Sequence, residues 1–178
     1  MTKFYTDKQQ IINWLEKHEV KNYTLVPDEQ YGFVVDVYGD VNLRDKKLLN
    51  IPVKFNKISG SFYCDNNKLN SLEFCPQIIG DNFYCYSNQL TSLEFCPQTV
   101  GRSFNCSENK ITSLEFCPET IGGNFWCGSN QLLKEIQEIT DFKLIYLEHQ
   151  KIIIAKFSDK LESDLYSDKN KKSTKIKI

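Results

Sequence analysis

Hydrophobic positions between residues 62 and 132 recur with a period of 21 residues. Aligned on cysteine, the chain reads CDNNKLNSLEFCPQIIGDNFY from Cys64, CYSNQLTSLEFCPQTVGRSFN from Cys85 and CSENKITSLEFCPETIGGNFW from Cys106, and a further copy begins at Cys127. A period of this length predicts a solenoid, in which each repeat forms one coil that stacks on the next.

The spacing within one repeat predicts which side chains face the core. A strand-like alternation of period two is followed by three apolar positions at a spacing of three, which is typical of an extended, polyproline-like return segment. Pro76 favours that conformation. The inward positions of this coil are Phe62, Cys64, Leu69, Leu72, Cys75 and Ile79.

The same register extends in both directions along the chain. Subtracting 21 residues from the apolar positions gives Val41, Leu43, Leu48 and Ile51, so a degenerate first coil is expected to begin at Val41. The register predicts five strands, centred on Asn42, Tyr63, Tyr84, Asn105 and Trp126. Asparagines follow each repeated strand where the chain turns away, and their stacked amides are expected to satisfy backbone groups at the bend. They are Asn67, Asn88, Asn109 and Asn130.

The first 40 residues read as an N-terminal cap on the repeats. Residues 1–20 predict one helix, with Thr6 as N-cap and Gln9 completing a capping box, and the helix is expected to end near His18. Residues 22–26 and 33–37 flank a turn and predict a β-hairpin. Since a solenoid exposes an unpaired strand edge at each end, helix and hairpin are expected to cover the first coil.

The repeats occupy residues 41–132, and the 21-residue pattern is not continued beyond them. Residues 131–140 predict a closing helix, and residues 142–147 and 152–157 predict two strands, so residues 133–157 are expected to form a C-terminal cap. Residues 158–178 are polar, basic and expected to be a flexible tail, with five lysines among the last ten residues. This tail is either a solvated end or a site of nucleic-acid contact.

The repeat carries a family resemblance. Its Asn-x-Leu-x-x-Leu core, with a proline before the next strand, resembles the short bacterial type of leucine-rich repeat. The fuller pattern G-x-F-x-C-x-x-N-x-L-x-S-L-E-x-C-P is similar to repeat proteins of bacteriophages and other large DNA viruses, over roughly residues 10–132. The resemblance implies an α/β leucine-rich-repeat solenoid of about five coils, capped at both ends, with a parallel sheet on its concave face.

Composition narrows the class of protein. The chain has 178 residues, 40% hydrophobic and 13% aromatic, which suits a single domain with a real core. A net charge of −1 creates no field that favours nucleic acid or an anionic membrane. The N-terminal residues contain no apolar run typical of a signal peptide, so we expect a cytoplasmic protein, in the host cytoplasm if the chain is viral.

The sequence offers little catalytic chemistry. All seven cysteines lie on the repeat lattice at alternating spacings of 11 and 10 residues, so we expect reduced, buried thiols and no metal site. The two histidines, His18 and His149, lie outside the regular repeats, and no Gly-rich phosphate loop, His-Glu-x-x-His or Gly-x-Ser-x-Gly motif is present. We therefore expect neither an enzyme nor a cofactor.

Outward strand positions and their neighbours predict an aromatic, centrally uncharged concave face. Such residues either bind a partner or merely cover the pleat and favour β structure. The candidate partner-binding residues are Arg44, Tyr63, Asp65, Asn82, Tyr84, Tyr86, Asn105, Asn124 and Trp126. A second stripe, Phe74, Phe95 and Phe116, stands one residue before inward cysteines. Either the turn rotates these rings into the core, or they form an aromatic rim on the convex side.

The expected function is therefore a non-catalytic protein-binding scaffold. The viral resemblance implies that the partner is a bacterial host protein, such as a defence component that the chain inhibits. The alternative is a sponge that captures a small molecule or nucleotide in an aromatic concave pocket. Nucleic-acid binding through the tail is a distant third, no membrane partner is expected, and the oligomeric state stays open.

Overall fold

The computed structural model describes residues 4–132 and residue 151. The described chain begins with one helix, α1 (Lys8–Lys17), followed by an antiparallel hairpin of β1 (Tyr23–Asp28) and β2 (Gly32–Val37). Short strands then follow at regular intervals. They are β3 (Val41–Asn42), β4 (Phe55–Ile58), β5 (Phe62–Tyr63), β6 (Ile78–Ile79), β7 (Phe83–Tyr84), β8 (Thr99–Val100), β9 (Phe104–Asn105), β10 (Thr120–Ile121) and β11 (Phe125–Trp126).

These strands stack into two sheets that run along a parallel β-solenoid. The five-stranded sheet has the order β11-β9-β7-β5-β3, and the six-stranded sheet has the order β1-β2-β4-β6-β8-β10. Equivalent residues pair in register, as Phe62 does with Phe83 and Phe83 with Phe104. The five-stranded sheet spans four steps of the 21-residue period, so the described chain makes about four turns. All five strands lie where the register predicts them.

The six-stranded sheet combines the predicted hairpin, β1 and β2, with four strands that the sequence pattern does not predict, β4, β6, β8 and β10. The return segment does not stay polyproline-like up to Ile79, because Ile78 and Ile79 form a strand that pairs with Lys57 and Ile58 of the preceding coil. A strand of two residues is too short to show a period of its own. Its pairing depends on the stacked coil and not on local alternation.

The predicted inward positions form the core. Phe62, Leu69, Leu72 and Ile79 are fully buried, and Leu93 occupies the same position as Leu72 in the next coil. The cysteines are free thiols that pack among these side chains. Cys117 and Cys127 lie towards the end of the described repeats and are less completely buried than the other five. One continuous hydrophobic core therefore runs from α1 to the last repeat.

The helix begins one residue later than predicted. Asp7, and not Thr6, is the N-cap, because its Oδ1 accepts a hydrogen bond of 3.0 Å from the backbone N–H of Gln10. A carboxylate at this position also stabilises the helix, because it is attracted by the positive end of the helix dipole. The helix ends before His18 as expected, and it packs Ile11, Trp14 and Leu15 against the solenoid.

Stacked asparagines bind adjacent coils together, as the sequence predicts. The Asn88 Oδ1 accepts from the backbone N–H of Leu69 at 2.9 Å, and its Nδ2 donates to the carbonyls of Cys64 at 3.0 Å and Cys85 at 3.1 Å. Asn67, Asn109 and Asn130 repeat this arrangement. Each amide satisfies backbone groups in two coils, which a side chain without both donor and acceptor cannot do.

The glycine before each repeated strand permits close stacking. A Cβ on Gly101 would lie 1.9 Å from the carbonyl oxygen of Gly80, the equivalent residue in the preceding coil. Its N–H donates to the Ile79 carbonyl at 2.9 Å. Glycine is needed here because the two backbones approach closely, and not because of an unusual φ angle.

Several predictions fall outside the described residues. These are the C-terminal cap at 133–157, with its helix and two strands, and the basic tail at 158–178 together with its nucleic-acid alternative. Among residues 4–132, no helix has the length and apolar character needed to cross a membrane.

Candidate binding face

The outer side of the five-stranded sheet carries a row of large, partly exposed side chains. Strand alternation buries Phe83 and Phe125 while it turns their neighbours, Tyr84 and Trp126, away from the core. Trp126 is 42% exposed. We define the aromatic face by the six outward residues that lie together on this sheet. They are Arg44, Tyr63, Tyr84, Tyr86, Asn105 and Trp126.

Arg44 occupies the N-terminal end of the aromatic face. Its guanidinium carbon lies 4.0 Å from the ring centre of Tyr63 and 5.9 Å from that of Tyr84. Its Nε donates to both carboxylate oxygens of Asp65, at 2.9 and 3.0 Å. Partial burial lowers the pKa of Arg44, but the hydrogen bond and charge of Asp65 outweigh it, so the net shift is upward. The face therefore carries an ion pair at this end, between the two flanking residues Arg44 and Asp65.

The tyrosines extend this cluster along the sheet. The Tyr63 and Tyr84 rings meet edge to face with centres 5.5 Å apart, and the Tyr84 and Tyr86 centres are 6.4 Å apart. Burial first, and then the neighbouring Asp65 carboxylate, raises the pKa of Tyr86. The Arg44 guanidinium and the rings of Tyr63, Tyr84 and Tyr86 therefore form one continuous layer of contacting groups.

A notch interrupts the layer beside Trp126. Asn105 stands between Tyr84 and Trp126 in the outward row, and its Oδ1 is bonded to the backbone N–H of Ser107 at 3.0 Å. Because Asn105 is much shorter than its neighbours, it leaves an open concavity of about 380 Å³. Strands two coils apart are separated by about 10 Å, so a partner side chain fits between the two rings. The lining residues are Tyr84, Tyr86, Asn105, Ser107, Glu108 and Trp126.

The three other predicted partner-binding residues lie apart from this layer. The Asp65 carboxylate is buried beneath Arg44 and holds it in place. Asn82 accepts from the backbone N–H of Ser103 at 3.1 Å, and the Asn124 N–H donates to the Ser103 hydroxyl at 3.2 Å. This second row links successive coils, so its polar groups serve stacking, although Asn124 is exposed.

The phenylalanine stripe divides into covered and open members. Phe74 is 5% exposed, whereas Phe95 is 47% and Phe116 is 56% exposed. The inward interpretation is therefore wrong for Phe95 and Phe116. Both residues have positive φ, +66° and +65°, in a tight turn closed by the bond from the Cys96 N–H to the Leu93 carbonyl in the first case. That turn directs their rings away from the core, and a pattern of spacings does not reveal it.

A second concavity lies between α1 and the loop at residues 46–52. It has a volume of about 730 Å³, and its lining includes three lysines and no acidic side chain. It forms only when helix and loop pack together, so no local sequence signal marks it. The lining residues are Tyr5, Trp14, Lys17, His18, Lys46, Lys47, Leu48, Leu49, Asn50 and Pro52.

The thiols and histidine of the described chain are engaged in packing. Burial raises the pKa of Cys64, Cys85 and Cys106 well above the ordinary value of a thiol, which disfavours the reactive thiolate. His18 stacks on Trp14 with ring centres 4.1 Å apart, and its Nδ1 lies 2.8 Å from the Trp14 carbonyl. Residues 4–132 contain no group of three or more His, Cys, Asp or Glu placed to hold a metal ion.

Comparison of the chain with protein-family models, with curated proteins and with solved structures found no match. The features that bear on function are therefore the aromatic face, the phenylalanine stripe and the lysine-lined concavity.

Proposed function

We propose that the chain is a leucine-rich-repeat scaffold of about five coils, covered at its N-terminal end by α1 and the β1–β2 hairpin, that binds a protein partner through the aromatic face. The observation that carries the proposal is the notch between Tyr84 and Trp126. Tyrosine and tryptophan dominate the energetics of protein interfaces, and they do so where a partner side chain fills a pocket between them.

The first turn suggests what the notch binds. There the Arg44 guanidinium lies over the Tyr63 ring and is paired with the Asp65 carboxylate. The notch offers the same kinds of group, because the Tyr84 and Trp126 rings stand beside Glu108, a carboxylate that accepts from the Ser87 hydroxyl. A planar guanidinium gains both from aromatic faces and from a carboxylate.

The chain supplies no arginine of its own to the notch. Its only other arginine is Arg102, whose Nε pairs with Asp81 at 3.0 Å. We therefore assign the notch to an arginine side chain from the partner. The viral resemblance of the repeats extends this proposal to a bacterial host protein, with a defence protein that the chain inhibits as the leading candidate.

Site-specific photocrosslinking tests the proposal. Benzoylphenylalanine replaces Tyr84 in one version of the full chain and Tyr38, which is 62% exposed on the N-terminal hairpin side, in the control version. Both are irradiated in bacterial lysate, and crosslinked proteins are identified by mass spectrometry. We expect a discrete adduct from position 84 that is absent from position 38 and is lost when Trp126→Ala is added. Equal adducts from both positions, or an adduct that survives Trp126→Ala, would contradict the proposal.

A second candidate function has its own observation. The lysine-lined concavity suits an anion with an apolar body, so capture of a nucleotide would take place there and not on the aromatic face, where Glu108 repels phosphate. In a Trp126→Phe variant, Trp14 is the one remaining tryptophan. Its fluorescence should report ATP binding, and Lys47→Ala should weaken that binding if the concavity is the site. An unchanged spectrum at millimolar ATP would remove this candidate.

A further inference from the structure

The repeated Leu-Glu-Phe-Cys turn places phenylalanine in an unfavourable backbone conformation. Phe74, Phe95 and Phe116 have φ of +69°, +66° and +65°, at the third position of turns that the following cysteine N–H closes on the leucine carbonyl. Glycine or asparagine ordinarily occupies this position, and a bulky residue with positive φ is strained. Such strain is typical of functional positions.

At Phe74 the ring is covered by the chain itself. Phe4 and Tyr31 pack on it with ring centres 5.0 and 5.9 Å away, and these two rings are 5.8 Å from each other. Backbone acceptors beside the ring are also satisfied. The Phe55 N–H donates to the Phe74 carbonyl at 2.9 Å, and the Lys54 Nζ donates to the Cys75 carbonyl at 3.2 Å.

The next two turns lack these covering groups. The residues equivalent to Phe55 are Pro76 and Pro97, which have no N–H, so the bond that Phe55 makes cannot form to the Phe95 or Phe116 carbonyl. Cysteines replace Lys54 at the equivalent positions. Both rings are about half exposed, and the exposed carboxylates Glu94 and Glu115 stand beside them in the sequence.

We propose that Phe95 and Phe116 form a second docking site, the phenylalanine ladder, for a protein segment that presents an aromatic side chain next to a lysine. The aromatic ring takes the place that Phe4 and Tyr31 occupy on Phe74. The ammonium group takes the place of Lys54 at the open carbonyls and is attracted by Glu94 and Glu115. The ladder comprises different residues from the aromatic face, so this proposal stands independently of the arginine notch.

Short peptides test the ladder directly by NMR. The full chain, labelled with ¹³C-phenylalanine and assigned by single substitutions, is titrated with Ac-Lys-Phe-Lys-NH₂, Ac-Lys-Ala-Lys-NH₂ and Ac-Glu-Phe-Glu-NH₂. Phe74 serves as the internal control, because it has the same turn but is already covered. We expect Lys-Phe-Lys to shift the ring resonances of Phe95 and Phe116 and to leave Phe74 unchanged. The alanine peptide should bind at least tenfold more weakly, and the glutamate peptide severalfold more weakly.

Two variants separate the ladder from other surfaces. Phe95→Gly suits the positive φ and removes the ring, so the fold should persist while Lys-Phe-Lys binding falls at least tenfold. Trp126→Ala changes the aromatic face and should leave the Phe95 and Phe116 shifts intact. The proposal is overturned if the alanine peptide produces equal shifts, if no ladder resonance moves, or if Phe74 moves as much as Phe95.

Discussion

Phe74 and Phe116 occupy equivalent positions two coils apart, yet only the first is covered. Phe74 lies under Phe4 and Tyr31, whereas the ring of Phe116 is open to solvent. The aromatic face shows the same contrast between its own Arg44 at one end and the open notch beside Trp126 at the other. Repeated sequence therefore gives repeated backbone, but the non-repeated N-terminal segment determines which repeats stay open.

The groups that hold the coils together do not share this asymmetry. The asparagine bonds recur with almost the same lengths from Asn67 to Asn130, and the glycines at positions 80, 101 and 122 all meet the backbone of the preceding coil. Their environment consists of the neighbouring coil alone, which is itself a copy. We therefore expect substitutions at these positions to have similar effects in every central turn, and substitutions of exposed residues to depend on the turn.

The largest effect is expected in the shared interior. Leu93→Ala removes a fully buried side chain that is stacked between equivalent leucines, Leu72 and Leu114. The free energy of unfolding should fall by roughly 2 to 5 kcal/mol, as measured by urea denaturation. Thr91→Ala, an exposed substitution in the same coil, is the matched control and should change it by less than about 0.5 kcal/mol. A negligible effect of Leu93→Ala would remove that residue from the core.

A pair of identical substitutions tests the contrast along the phenylalanine stripe. Phe74→Ala removes the ring contacts with Phe4 and Tyr31 and should lower the free energy of unfolding by about 3 kcal/mol. Phe116→Ala deletes an exposed ring and should cost less than about 0.5 kcal/mol. Both variants keep an L residue at nearly the same positive φ, so the difference between their unfolding free energies isolates the covering contacts. Equal losses would mean that the two positions share one environment after all.

Alkaline pH should destabilise the fold through its buried thiols. Burial raises the pKa of Cys85 well above the ordinary value of 9.0 and that of Cys127 to about 11. Below about pH 9 each thiol is protonated in both states. Above it the unfolded chain loses the proton while the folded chain keeps it, so stability falls by about 1.4 kcal/mol per pH unit per thiol.

Urea denaturation at successive pH values measures this slope. The half-buried Cys127 should stop contributing near pH 11, where its folded form also ionises, whereas Cys85 should continue to contribute. Cys127→Ala should therefore make the loss of stability between pH 9 and 11 less steep by about 1.4 kcal/mol per pH unit, which is the contribution of one thiol proton. A stability that stays flat from pH 8 to 10.5 would contradict the burial of the thiols.

The sequence predicts the regular part of this molecule well. The period-two alternation identifies all five strands of the five-stranded sheet, and the asparagine spacing identifies the bonds between coils. These features are local to one repeat and its copy. The N-cap was misplaced by one residue because Thr6 and Asp7 both suit the position, and only the backbone geometry distinguishes them.

The sequence could not predict features that depend on packing between different elements. The cover over Phe74 comes from Phe4 and Tyr31, which are far away in sequence, and the outward rotation of Phe95 comes from a positive φ. The lysine-lined concavity likewise needs α1 and a distant loop. The position of Asp65 beneath Arg44, and not on the face, follows from a pairing between coils.

Small stability effects are also expected at the aromatic face. Tyr84→Ala and Trp126→Ala remove rings that leave the core on strand geometry, so each should change the unfolding free energy by less than about 1 kcal/mol. Tyr63→Ala should cost more than either of them, because that ring also supports Arg44 at 4.0 Å. Thermal denaturation of the three variants gives the ranking, and a larger loss for Trp126→Ala than for Tyr63→Ala would contradict the contrast between the two ends of the face.

The most direct test combines stability and binding in one variant. Trp126→Ala is measured by urea denaturation and, with benzoylphenylalanine at position 84, by the yield of the partner adduct. If the open aromatic residues serve binding, the unfolding free energy stays within about 1 kcal/mol of the parent while the adduct falls at least tenfold, consistent with a hot-spot loss of roughly 1 to 4 kcal/mol. A stability loss above about 2 kcal/mol with an undiminished adduct would show that Trp126 serves the fold and not the partner.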